Sequence, residues 1–163
     1  MSFQQRFEAA SPWEQELVLI LQDRGWLAAA FGQAQIPEEM RRHLATWEDE
    51  YGRPTLLRWA PDIIAVHPST GRICLIDAKT DDKPTENYAV EVHAVDAGAA
   101  IVQHLFTPVY YVWRSGTLTP EVVLNRWHRR LDGRKSRGSK TSFYLVDKSF
   151  AVKGSTVFGN TNP

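Results

Sequence analysis

The chain predicts an α/β fold, a mixed β-sheet covered by helices, and three stretches carry that prediction. From Pro61 to Thr80, two apolar runs, Ile63 to Val66 and Ile73 to Ile76, flank a Pro-Ser-Thr-Gly turn and read as a hairpin of mostly buried strands. Ahead of it, Ser11-Pro12-Trp13-Glu14 combines an N-cap serine, a proline at the first helical position and a capping-box glutamate. After it, a long apolar segment leads through Pro108 to the strand Val109-Tyr-Tyr-Val-Trp113. A connection holding a helix lets this strand add parallel to a neighbour.

The 163 residues, 43% apolar with six tryptophans, suffice for one domain with a sizeable core. Residues 1–163 therefore read as a single unit: a polar N-terminal arm at 1–10, a core at 11–131, a basic loop at 132–141, and a late strand with a mobile tail at 142–163. In the core, the first helix continues through Leu17, Val18, Ile20 and Leu21 to Gly25. Trp26 to Phe31 forms a first strand. Pro37 opens a second helix, with Met40, Leu44, Trp47 and Tyr51 at helical spacing and Gly52 at its end, which should lie over the sheet as an addition.

Thr55 to Trp59 extends the start of the central hairpin. Residues 86 to 106 read as a helix through Tyr88, Val92, Val95, Ala99, Val102 and Phe106, although Val90, Val92 and Ala94 alternate with Glu91 and His93 as a strand would. Glu121 to Leu131 is a further strand or short helix, and Phe143 to Val146 a late strand. The single cysteine, Cys74, sits in an apolar strand, which excludes an intramolecular disulfide and suits a reducing compartment. No apolar run approaches the roughly 20 residues of a membrane span, and MSFQQRFEAA lacks the features of a signal peptide. A soluble intracellular protein is expected.

The chemistry concentrates at the ends of the hairpin. One run starts with Asp62 and the other finishes with Asp77 and Lys79, so antiparallel pairing brings these groups together, with Asp77 and Lys79 on one face. Carboxylates gathered at an apolar sheet edge require neutralisation, and a divalent cation supplies it. Two hard oxygen ligands suit Mg²⁺, which serves phosphodiester hydrolysis, and a neighbouring lysine can orient water or offset developing charge. Ordinary strand-end charges are the bland alternative. Glu14 is a third candidate acid at the end of a buried helical stripe, though capping with Ser11 alone would explain it.

The formal net charge is zero, yet its distribution is uneven. Glu38, Glu39, Glu48, Asp49 and Glu50 cluster early, whereas Arg126, Arg129, Arg130, Arg134, Lys135, Arg137 and Lys140 face Asp132 alone, with Trp127 and His128 nearby. This basic run is a candidate phosphate-backbone contact, with a solvated loop as the alternative. Arg58 and Lys83 are weaker candidates of the same kind. His67, His93 and His104 have no zinc-ligand spacing.

These residues resemble the PD-(D/E)xK nuclease superfamily. Its pattern is Pro-Asp, then D-x-K or E-x-K at the end of the next strand, after a helix that contributes a glutamate. The matching positions are Pro61-Asp62, Asp77-Ala78-Lys79 and Glu14. Within it the chain is most similar to archaeal-type Holliday junction resolvases, through Glu14-Gln-Glu-Leu-Val, Gly25-Trp26 and Thr107-Pro-Val-Tyr-Tyr-Val112. The likeness spans about residues 11 to 31 and 59 to 113.

It implies a restriction-endonuclease-like core of order αβββαβ, with an inserted helix and a basic C-terminal extension. It further implies Mg²⁺, replaceable by Mn²⁺, held by Glu14, Asp62 and Asp77, with Lys79 assisting the nucleophile. The expected partners are branched DNA and a second copy of the chain. A duplex-cutting nuclease and a non-catalytic DNA-binding module remain alternatives.

Overall fold

The computed structural model describes residues 11–80, 84–132 and 141–159. The expected N-terminal arm, Lys83, and Arg134, Lys135, Arg137 and Lys140 of the basic loop lie outside the described residues.

Helix α1 spans Pro12–Asp23. Ser11 caps it by accepting the Glu14 N–H at 3.2 Å, half of the expected capping box. At its other end Gly25, with φ +83°, adopts the left-handed conformation, while Gly25 N–H donates to Gln22 O and Trp26 N–H to Leu21 O. That paired arrangement closes the last turn and redirects the chain. It leads into β1, Leu27–Ala30.

The hairpin strands are β2, Ile63–His67, and β3, Arg72–Ala78. They pair antiparallel, with β1 on the outer side of β2. Beyond β3 the sheet continues with β5, Val109–Val112, which is parallel to β3, and β6, Thr117–Leu118, giving the order β1-β2-β3-β5-β6. The mixed sheet is thus as the apolar runs predict.

Its two faces bury different sets. Trp13, Leu17, Val18 and Leu21 of α1 pack with Ile63, Ala65, Cys74, Ile76 and Val112 on one face, each large aliphatic contributing roughly 1.5–3 kcal/mol. Burial also raises the Cys74 thiol to about 11, so it is an inert core residue. On the other face, Tyr111 and Trp113 pack with Tyr88, Val90, Val95, Leu118, Val123 and Val146.

Several expectations need correction. Residues 86 to 106 are not one helix. Asn87–Glu91 is strand β4, and helix α3 runs from Val92 to Leu105. The alternation won because β4 has a partner: it pairs with β8, Phe143–Asp147, burying Tyr88 and Val90 and leaving Ala89 exposed. Residues Glu121 to Leu131 divide likewise between helix α4, Pro120–Arg126, and strand β7, Trp127–Leu131. Together β4, β8 and β7 form a second, antiparallel sheet.

Thr55 to Trp59 does not lengthen the hairpin. Leu56–Trp59 is a 3₁₀ turn capped by Thr55. The inserted helix α2, Glu38–Thr46, stops short of Tyr51 because Asp49 instead accepts from the Tyr51 and Arg53 N–H groups and organises a turn. None of its residues is buried, so it does not lie over the sheet. The expected tail contains a short helix, α5, Gly154–Phe158, whose Phe158 joins the core while its carbonyl accepts the Trp26 indole N–H at 3.0 Å. No helix among the described residues is long and apolar enough to cross a membrane.

Candidate active site

The site forms where β2 begins and β3 ends. Ile63 faces Ile76 in the hairpin register, and Asp62 N–H donates to Ile76 O at 2.9 Å, so Asp62 stands opposite Asp77. The Asp62 carboxylate accepts the Ala78 N–H at 2.9 Å. Lys79 Nζ lies 2.7 Å from Asp77 Oδ2, both side chains being largely shielded from solvent. The strand periodicity behind that pair is visible in the sequence.

Electrostatics adds Glu14 to the group. The Asp62 carboxyl is raised from its ordinary 3.8 to about 8, first by burial, then by the charges of Asp77 and Glu14, against the opposing pull of the Ala78 N–H and Lys79. Among the described residues, three carboxyl groups therefore share one field with a single ammonium. Among the described residues no three acidic, histidine or cysteine side chains close into a finished metal-binding cluster. The donor chemistry nonetheless fits a hard divalent cation, because oxygen ligands and uncompensated negative charge are what such an ion requires. Glu14, Asp62 and Asp77 are the residues that could hold it.

The parallel pairing of β3 with β5 brings in residues that no local pattern singles out. Tyr111 lies directly opposite Asp77. Its hydroxyl donates to Ala94 O of α3 at 2.9 Å, and Lys79 Nζ sits 5.7 Å from the centre of its ring. Burial, with Asp77 and Asp96, holds that hydroxyl well above its ordinary range, so it remains a donor. α3 comes this close because residue 98 is glycine: a Cβ there would stand 2.5 Å from the Tyr111 hydroxyl and 2.9 Å from Pro120. Val112 O accepts both the Lys79 N–H at 2.9 Å and the Trp13 indole N–H at 3.1 Å, tying α1 to the end of β3. Which strand stands beside β3 depends on long-range topology, so periodicity could not reveal Tyr111.

The candidate DNA contacts divide. Arg58 stacks over Trp59 at 5.1 Å and donates to Ala45 O at 3.0 Å. Trp59 in turn donates to Glu91 at 2.8 Å and packs against His93 at 4.5 Å, joining the segment before Pro61 to the start of α3. Arg129 and Arg130 stand on β7, exposed along its whole length, Arg130 pairing with Asp132 at 2.8 Å. Arg126 lies 5.2 Å over Phe150. These three belong to the second sheet and its flanking helix, apart from the four residues Glu14, Asp62, Asp77 and Lys79.

No protein-family model and no curated protein sequence matches the chain. Among solved structures it is similar to Hjc, a Holliday junction resolvase from the archaeal hyperthermophile Archaeoglobus fulgidus, with a TM-score of 0.51 and 14% identity over 93% of this chain and 96% of that one. At that identity the likeness is one of fold. The chain has a restriction-endonuclease-like α/β fold, a central mixed sheet flanked by helices.

Proposed function

We propose that the protein is a metal-dependent DNA endonuclease of the PD-(D/E)xK kind, selective for four-way or otherwise branched DNA. The observation that carries this reading is the convergence of Asp62, Asp77 and Lys79 at adjoining ends of the interior strands β2 and β3, within the field of Glu14. The likeness in fold to a Holliday junction resolvase supports the substrate class.

In this reading Glu14, Asp62 and Asp77 hold Mg²⁺, with Mn²⁺ as a substitute. The bound ion supplies Lewis acidity toward a phosphoryl oxygen and a lowered pKa for water. The remaining work belongs to the chain. The Ala78 N–H fixes one Asp62 oxygen, and Asp77 holds the Lys79 ammonium in place. Lys79 then orients the attacking water and offsets negative charge as the bond to the leaving sugar oxygen breaks. Arg129 and Arg130 on exposed β7 contact the phosphate backbone, and Arg126, Arg58, Lys83, Arg134, Lys135, Arg137 and Lys140 are further candidate contacts. Such an enzyme works inside the cell.

Paired incision calls for two sites, and a homodimer provides them. We assign its interface to the apolar end of α3 and the adjacent α4, where Phe106 is 88% exposed beside Val102 and Leu124. They border a groove of about 550 Å³ at the end of β5 away from Asp77.

The test is cleavage of a synthetic four-way junction against a linear duplex of the same arms, with Mg²⁺, for the wild type and Asp77→Asn. Junction cutting by the wild type alone is expected. Equal cutting of both DNAs overturns the junction assignment, and failure to cut any DNA at any metal concentration overturns the enzymatic one.

A further inference from the structure

A cavity of about 330 Å³ opens between α1, the end of β5 and α5. Three cationic residues line it, Arg24, Arg114 and Lys153, together with Ser155. Among the described residues only one of the three has an ion-pair partner. Arg114 pairs with Glu16 at the rim and stacks over Trp13 at 4.5 Å. Arg24 and Lys153 have no ion-pair partner among the described residues.

Among the described residues, Arg24 Nε is moreover buried without a hydrogen-bond partner, as is Thr117 Oγ1. Both side chains converge on Gly154: a Cβ there would stand 3.9 Å from an Arg24 Nη and from that same Thr117 oxygen. Holding an arginine half-buried with no acceptor is costly unless an anion completes it. An arginine fork in a cavity that a second arginine and a lysine also line suits a phosphoryl group, whose oxygens accept several charge-assisted hydrogen bonds.

One end of the cavity lies near the chemistry, while Arg24 stands ten residues, about 15 Å, along α1 from Glu14. Trp13 in its wall precedes Glu14, and Val112 in its wall is the register partner of Ala78, between Asp77 and Lys79. Successive phosphates of one strand rise by only about 3.4 Å along a duplex axis. A strand whose scissile phosphate lies at Asp62 and Asp77 therefore has other phosphates within reach.

We propose that this cavity is a second phosphate subsite, gripping a backbone phosphate of the cut strand a short way from the scissile bond. It rests on the nuclease reading for its ligand. The subsite fixes the strand's path across α1, and Glu16 competes with the phosphate for Arg114.

The test uses the full chain with Ca²⁺ in place of Mg²⁺, measuring anisotropy of labelled junction and duplex over a range of salt. The double variant Arg24→Gln/Lys153→Gln should bind at least about tenfold more weakly. Its plot of log affinity against log salt should flatten by about one. Glu16→Gln, which frees Arg114, should instead tighten binding by about twofold to fivefold, and it decides the matter if the double variant fails to fold.

Unchanged DNA binding in either variant overturns the subsite. So does a double variant that loses only inorganic phosphate or thymidine monophosphate, an outcome that assigns the cavity to a small phosphorylated ligand. A wild type that binds DNA through these residues yet never cuts it leaves the subsite standing and removes the nuclease reading instead.

Discussion

Replacing Asp62 by Asn should make the metal-free protein more stable, and the gain should grow with pH. Folding raises the Asp62 carboxyl from 3.8 to about 8. Between those limits the folded form holds a proton that the unfolded chain has released, so stability falls as pH rises, by at most about 1.4 kcal/mol per pH unit. Below the lower limit both forms are protonated and the contribution is fully present; above the upper one the loss is complete. A shift of this size sets a ceiling of about 6 kcal/mol. Because Asp62 shares its field with Asp77, Glu14 and Lys79, we expect about 2–4 kcal/mol between pH 5 and pH 8.

Asparagine keeps an oxygen for the Ala78 N–H and removes the charge. Urea unfolding in EDTA, followed by tryptophan fluorescence at several pH values, measures the difference. The wild type should lose stability toward pH 8, the variant should lose much less, and Mg²⁺ should restore the wild type at pH 8 with little effect on the variant. Parallel pH profiles for the two proteins would refute the picture of a strained carboxylate cluster awaiting a cation.

Asp77→Asn and Lys79→Ala should each lower junction cleavage at least about a hundredfold, while affinity measured in Ca²⁺ stays near that of the wild type for Lys79→Ala. Gly98→Ala drives a methyl group against the Tyr111 hydroxyl and Pro120, and chemical unfolding should register a loss of about 1–3 kcal/mol. Phe106→Asp should convert a dimer to monomers in sedimentation experiments while leaving the circular dichroism unchanged; a wild type that is monomeric at every concentration contradicts the interface.

Most of what surrounds Asp62 and Asp77 was legible because it is local. Ser11, Pro12 and Glu14 announce a helix start within four residues, and the apolar runs of β2 and β3 place Asp62, Asp77 and Lys79 by strand periodicity alone. The second sheet was not legible as a sheet. Asn87–Glu91 is a strand because a segment more than fifty residues later, Phe143–Asp147, pairs with it, and no window of sequence contains both. Tyr111 and the Arg24 cavity were hidden for the same reason. Their meaning lies in what the chain brings beside them, whereas Met40, Trp47 and Tyr51 show the converse: helical spacing promised burial, and the insertion found nothing to cover.

The carbonyl of Val112 has a dynamic consequence. Because one oxygen receives both the Lys79 amide and the Trp13 indole, the lysine and the helix bearing Glu14 are latched at a single point. Lifting α1 from the sheet breaks the Trp13 attachment while the pairing of β3 with β5 still holds the Lys79 amide. Exchange of the Trp13 indole proton with solvent therefore reports on the seating of the helix that bears Glu14, separately from exchange of the Lys79 amide, in a site where tryptophan takes no chemical part.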